Sequence, residues 1–277
     1  MTQLPAQFVD SHCHLDRYDR PMDVIRAAEA SGVVTVVVTE LPSSFQRLSV
    51  MLGKRPRVRL ALGCHPLRAT QVTATERALF GRLIEQTDYV GEVGLDGSKH
   101  GRESLQVQRK VFDFVLNDPR TANKVLTVHS RGAEEETIER LAAAKTTAIL
   151  HWYTGALKHI DAAADTGLWF SVNPAMVESQ KGRKTIASLP RERVVTETDG
   201  PFATVRGVPC VPADVPPLVS ALAAIWDEDV ADTRDRIFRG MTTLTKLAST
   251  PPADPSSKTA PDATGHSTAL TSAERDR

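Results

Sequence analysis

Along the first 200 residues, short apolar runs rich in β-branched side chains alternate with longer amphipathic stretches. The runs are QFVDSHCHL (7–15), VVTVVVTE (33–40), RVRLALGCH (57–65), YVGEVGLD (89–96), KVLTVHS (124–130), TAILHWY (147–153), LWFSVN (168–173) and RVVTETD (193–199). Near-continuous apolar runs of this length suit parallel strands covered on both faces. Between them, 76–86 places Leu79 with Leu83 and Phe80 with Ile84 at helical spacing. Segment 103–118 repeats Leu105, Gln108, Val111, Phe112 and Val115 on one side, and 133–144 opens with acidic residues that suit a helix N-terminus. Eight strands alternating with helices predict an α/β fold, a (β/α)8 TIM barrel; a doubly wound open sheet is the alternative. After the eighth run comes a loop over 200–217, then two helices around 217–226 and 229–248.

From Ser249 the pattern changes to proline, serine, threonine and alanine with few large apolar residues. Such a segment has too little to bury, so 1–248 is expected to form the barrel and 249–277 a disordered tail. His266 falls in that tail. Charge is balanced, with 34 basic and 34 acidic residues, which argues against gripping nucleic acid or membrane by bulk charge. No basic leader followed by an apolar run opens the chain, and no stretch is long enough to span a bilayer. Cys13, Cys64 and Cys210 are sparse and form no CxxC pair, which suits a reducing compartment, so a cytoplasmic location without membrane partners is expected.

The chemistry-bearing residues gather at the C-terminal ends of the runs. His12 and His14 fall in the first, His65 in the third, Glu92 in the fourth, His129 in the fifth, His151 in the sixth and Asp199 in the eighth. Barrel enzymes assemble their sites at that end of separate strands. Residues two apart share a strand face, so His12 and His14 point together while Cys13 points into packing. An HxH pair alone could equally be core, but so many such residues at matching strand ends point to a metal site. Imidazole plus carboxylate without thiolate suits catalytic Mg, Mn or Zn and not a closed structural zinc cluster. Four histidines and two carboxylates suffice for two divalent ions sharing a carboxylate, a set that suits hydrolysis of a phosphoester.

The ordered motifs FVDSHCHLD, ALGCHP, GEVGLD, VHSRGA, HWYTG and TETDGPF resemble the TatD family of metal-dependent deoxyribonucleases, from about Phe8 to about Ala248. The resemblance implies an amidohydrolase-type barrel acting on DNA, often 3′–5′ on single strands, with divalent metal ions as cofactors. It makes His12, His14 and Asp199 ligands of the first ion, Glu92 the bridge, and His129 and His151 ligands of the second. It places His65 over the substrate phosphate as donor or acid, and gives Asp199 the task of orienting or deprotonating the attacking water. A narrower resemblance, in GLDGS, HWYTG, FSVNPAM, KGRKTIASLP and ETDGPF, is to the TatD-like component of the Qat anti-phage defence systems. That implies partners: an ATPase and a protein similar to enzymes of 7-deazaguanine synthesis, besides DNA or a nucleotide as substrate. Two departures touch the expected substrate cleft. Gly97 and Ser98 stand where many relatives carry aromatics, and the loop at Arg206 and Gly207 continues with Cys210 and prolines where relatives carry an asparagine.

Arg131 and Lys181 are expected to bind substrate, with Arg183, Lys184, Arg68 and Arg206 as further basic candidates set against solvated surface. Trp152 and Tyr153 are candidates for base stacking or for packing. Asn173 either faces the pocket or caps the next helix. His100 and His159 match no strand end and are expected on the surface. Asp10 and Asp16 are candidates for orienting the imidazoles. Two other functions compete: hydrolysis of a small molecule, and a non-catalytic metal-binding subunit of a defence complex. Small-molecule amidohydrolases commonly bridge their ions through a modified lysine on the fourth strand, where this chain offers Glu92.

Overall fold

Eight parallel strands form one sheet in sequence order: β1 (Phe8–Cys13), β2 (Val33–Val37), β3 (Val58–Leu62), β4 (Tyr89–Gly94), β5 (Val125–His129), β6 (Thr147–Leu150), β7 (Trp169–Val172) and β8 (Val194–Thr196). The computed structural model describes residues 7–249. Sequential order excludes the doubly wound sheet, whose strand order reverses partway. The expected tail, from Thr250 onward, lies outside the described residues.

Each strand stops before its apolar run does. The run ending at Asp199 supplies a strand ending at Thr196. The polar residues that close each run leave the ladder and turn over the barrel mouth.

Helices α1 (Pro21–Ala30), α2 (Pro42–Leu52), α3 (Ala74–Leu83), α4 (Leu105–Leu116), α5 (Glu134–Ala144), α6 (Ile160–Asp165), α7 (Pro174–Glu178) and α8 (Gln180–Ser188) lie between strands. After β8 a small hairpin, β9 (Thr204–Val205) and β10 (Val208–Pro209), occupies the segment expected to be plain loop. Helices α9 (Val215–Trp226) and α10 (Val230–Ala248) follow. No described helix is long and apolar enough to cross a membrane.

The barrel closes between β1 and β8 through single contacts. Asp199 N–H donates to the His12 carbonyl at 2.8 Å, and the Thr196 hydroxyl to the Val9 carbonyl at 2.5 Å. Asp10 stitches the same seam by accepting from the His12 and Thr198 amides at 3.2 and 2.9 Å and from the Thr198 hydroxyl at 2.5 Å. It therefore fixes backbone, and does not orient an imidazole as expected. Asp16, the other candidate for that task, is exposed.

One residue from each strand fills the barrel floor: Val9, Val36, Ala61, Tyr89, Val125, Ile149, Trp169 and Val195 form a buried cluster with Met241 and Leu244 of α10. Gly240 lets that helix approach, since a Cβ there would meet the Trp169 ring at 2.7 Å. Strand alternation then sets what lies above the floor. Stepping by two gives Thr127 and His129 on β5, His151 beyond β6, Ser171 on β7 and Asn173 just beyond it, Glu197 and Asp199 beyond β8, and Gly63 and His65 beyond β3. The two strands whose pairing register shifts, β1 and β4, carry His12 and Glu92, and His14 directly follows β1. Gly91 makes room beneath Glu92, because a Cβ would lie 2.1 Å from the Thr127 methyl.

Candidate metal centre

Glu92 lies at the middle of the barrel mouth, 1% exposed, and each of its carboxylate oxygens faces its own set of imidazoles. Oε2 is 3.0 Å from His14 Nε2, 3.4 Å from His12 Nε2 and 3.2 Å from His65 Nε2. Oε1 is 2.8 Å from His129 Nδ1 and 3.0 Å from His151 Nε2. Asp199 Oδ1 approaches the Nε2 atoms of His12 and His14 at 3.6 and 3.5 Å.

These spacings have the size of a coordination polyhedron. Ligand atoms about 2.1 Å from one ion stand about 3.0 Å apart at octahedral angles and about 3.4 Å apart at tetrahedral ones. Three sets of donors lie close enough to hold a cation: His12, His14 and Asp199; His12, Glu92 and His151; His65, Glu92 and His129. The donor set and its spacing fit divalent ions.

Outer hydrogen bonds decide which ring nitrogen faces inward. His12 Nδ1 meets Thr127 Oγ1 at 2.6 Å, which leaves Nε2 for the centre. His129 Nε2 meets Asp96 Oδ2 at 2.9 Å, which leaves Nδ1. His151 Nδ1 faces Glu197 Oε2 at 3.6 Å. His65 is wired the opposite way. Its Nδ1 accepts from the Leu67 amide at 3.0 Å, so the neutral ring carries its proton on Nε2, the nitrogen aimed at Glu92. That polarity makes His65 a donor at the mouth, although its position also suits a ligand.

Sequence patterning missed Glu197, Asp96 and Thr127, which orient these rings. Glu197 accepts from Trp152 N at 2.9 Å, Ser171 Oγ at 2.6 Å and Asn173 Nδ2 at 3.3 Å. Its signal was available: it precedes Asp199 by two and shares its strand face.

A cavity of about 890 Å³ opens over the centre, and Arg131, Lys181, Arg68 and Trp152 line it. Lys181 Nζ donates to the Thr154 carbonyl at 3.3 Å. Other candidates fall elsewhere. Tyr153 is fully buried, its ring edge-on to Phe170, so it packs and does not stack a base. Arg206 lies on the exposed hairpin beside Glu178, and Arg183 and Lys184 are not part of the cavity wall. Of the two roles expected of it, Asn173 takes the cap, accepting from Met176 N at the start of α7; it is fully buried outside the cavity wall, where it donates to Glu197. His159 stays outside the cavity; His100 is exposed, as expected, and also lines it. Of the two divergent loops, the one after Asp96 reaches the cavity through His100 and not through Gly97 or Ser98. The loop after β8 contributes Phe202, while Val205, Val208, Pro209 and Cys210 line a separate groove. Phe202 lies edge-on to His14 and is 54% exposed.

Without cations, protons take their place. Burial disfavours charge on His151, but Glu92 and Glu197 hold its pKa well above the ordinary value; His14 and His129 are raised against burial by Glu92, with Asp96 helping His129. Burial pushes His12 down to about 3, aided by its stacked neighbour His151, and lowers His65. Glu92 is driven well below the carboxylate range, because the surrounding His65 and His151 outweigh burial. Burial pushes Asp199 up to about 7 and Asp10 up to about 8.

Linkage gives these shifts a sign. The raised histidines stabilise the fold below pH about 6.5 and lose that contribution as pH rises through their folded values. The raised Asp10 and Asp199 act in the same direction, between the ordinary carboxylate pKa and about 8. The lowered Glu92, His12 and His65 act only on the acid side. The chain in EDTA is therefore expected to lose melting temperature from pH 6 to pH 8, and Mg or Mn at pH 8 to restore it. A melting temperature that is flat or rising across that interval in EDTA would contradict the balance described.

Comparison with known proteins is consistent with this centre. The model of a family described as TatD related DNase matches residues 9–244. An uncharacterized metal-dependent hydrolase, MJ1582, of Methanocaldococcus jannaschii is 26% identical over 242 residues, covering 84% of this chain and 95% of its own. The human deoxyribonuclease TATDN3 is 30% identical over 213 residues, covering 70% of this chain and 77% of its own. In fold, the crystal structure of YJJV, a TatD homolog from Escherichia coli, superposes with a TM-score of 0.78 at 21% identity, over 86% of this chain and 98% of that one.

Proposed function

This chain belongs to the TatD family of metal-dependent hydrolases, and from that premise we propose that it is a deoxyribonuclease that shortens single-stranded DNA with two divalent ions, Mg, Mn or Zn. The observation that carries the reading is the two-sided Glu92, whose oxygens each face separate imidazoles. His12, His14 and Asp199 would hold one ion, His129 and His151 the other, with Glu92 shared. Bound divalent ions supply Lewis-acid polarisation of a phosphoryl oxygen and a water-derived nucleophile at neutral pH.

The chain's own groups do the rest. Asp199, which a bound cation would keep ionised, would orient the attacking water or take its proton. His65 offers Nε2–H to a phosphate oxygen. Arg131 and Lys181 stand on the cavity wall where the strand enters, and Phe202 presents an open ring face to a base. The motif likeness to the TatD-like component of Qat systems supports a role beside an ATPase and a deazaguanine-synthesis-like partner in anti-phage defence. The absence of any lysine from β4 weighs against the lysine-bridged small-molecule hydrolases.

The test is direct. Purified chain with Mg or Mn should shorten 5′-labelled single-stranded DNA to a ladder, and EDTA should stop it. No shortening by metal-loaded protein would overturn the reading. His65→Gln should slow cleavage about 10²-fold while bound metal stays at the wild-type level. Loss of metal from that variant would make His65 a ligand.

A further inference from the structure

The alternation that lifts site residues to the barrel mouth runs from Val36 on β2 to Val38 and Glu40 beyond it. Glu40 thus occupies the place that His65, His129 and Asp199 take on their strands, yet arginines meet it instead of imidazoles. Its Oε2 accepts from Arg68 Nε at 2.8 Å and also pairs with Arg17. Glu40 is 8% exposed, whereas the Arg68 side chain is 40% and the Arg17 side chain 36% exposed. A buried carboxylate therefore braces two guanidinium groups whose outer edges face solvent.

These side chains wall a cavity of about 520 Å³ that Arg47 also lines, its Nη2 donating to Ser44 Oγ at 2.9 Å. Arg17, Arg47 and Arg68 face Glu40 and the exposed Asp16, three positive groups against two negative. The cavity adjoins the one over the metal centre: Glu40 and Arg68 line both. The two walls are also linked through the backbone: His65 N–H donates to the Glu40 carbonyl at 2.9 Å.

We propose that this arginine cleft is a second phosphate subsite, which holds a phosphodiester of the substrate strand away from the one at the metal centre. The proposal rests on the deoxyribonuclease reading. Three physical points support it. Guanidinium forks match phosphate oxygens. Glu40 fixes two of the forks before substrate arrives, which lowers the ordering cost of binding. In a chain with 34 basic and 34 acidic residues, affinity for a polyanion has to come from local groupings such as this one.

The test is equilibrium binding by full-length protein in EDTA, with fluorescence anisotropy of labelled pentathymidylate and competition by the single-phosphodiester dinucleotide dTpdT. Arg17→Ala/Arg47→Ala should weaken pentathymidylate about tenfold and flatten its salt dependence by about 0.7 per lost phosphate contact. The dinucleotide should shift less than twofold, and the Arg17→Lys/Arg47→Lys form should keep most of the pentamer affinity. Unchanged pentamer affinity, or equal loss for both probes, overturns the subsite. So does displacement of inorganic phosphate without any length effect, which would mark a site for free anions. A length effect without strand cleavage by the metal-loaded wild type would overturn the nuclease reading and leave the subsite standing. Cleavage without a length effect would do the reverse.

Discussion

Glu92→Gln is expected to lower cleavage about 10³-fold or more and to cut bound metal below half of the wild-type content. The reason lies in the two-sided carboxylate. Oε2 faces His12, His14 and His65 within 3.4 Å, and Oε1 faces His129 and His151 within 3.0 Å. An amide keeps one ligating oxygen and turns the other end into a donor, so whichever way it sits, one set of imidazoles faces N–H groups. The same change removes the charge that keeps His14, His129 and His151 raised. Asp199→Asn should act on one side only, because Asp199 Oδ1 approaches His12 and His14 and no imidazole of the other set. Metal stoichiometry by mass spectrometry, read beside the cleavage rate, separates the two variants. Wild-type turnover by Glu92→Gln would show that the shared carboxylate is not the organising group of the centre.

The barrel and the inward-facing residues of its mouth were legible in the sequence for one reason: both follow from a period of two. Apolar runs marked the strands, and His129 and Asp199 fall two steps of that period above the buried floor residues Val125 and Val195, His151 one step above Ile149. Where the period breaks, the pattern lost its grip. The register shifts in β1 and β4 rotate His12, His14 and Glu92 into the mouth, and only their residue types betrayed them. Residues without a metal-ligating signature were harder. Thr127 and Glu197 lie in the layer below the ligands, where their sequence positions look like strand interior. Asp96 sits inside a motif already credited to Glu92. Glu40 looked like the polar end of an apolar run, and its meaning depends on Arg17 and Arg68, which arrive from two other loops. The hairpin after β8 escaped because each of its strands is two residues long. His100, on no strand, is exposed as its position predicts, and the loop after β4 also brings it to the cavity.

Glu197→Ala is expected to destabilise the chain by about 3–5 kcal/mol, more than any other change to the layer beneath the ligands. Glu197 is fully buried and ionised, its pKa held low by His151 and by the Ser171 hydroxyl against the push of burial. Truncation leaves Trp152 N, Ser171 Oγ and Asn173 Nδ2 without their acceptor in a closed space. The Trp152 contact matters most, because Trp152 holds a left-handed backbone at φ 39 and Glu197 anchors its amide there. His151 precedes it in the chain, so a released Trp152 also releases a ligand-bearing turn. Glu197→Gln keeps the shape but places an N–H₂ group among donors, at a cost of about 1–3 kcal/mol. Its metal affinity and cleavage rate should each fall about 10- to 100-fold through misorientation of His151. Denaturant unfolding in EDTA measures the first effect free of metal, and metal titration of the glutamine variant measures the second. If the alanine variant unfolds at the wild-type midpoint, Glu197 is not what holds the Trp152 turn. If the glutamine variant binds metal as tightly as wild type, His151 owes its orientation to the strand alone.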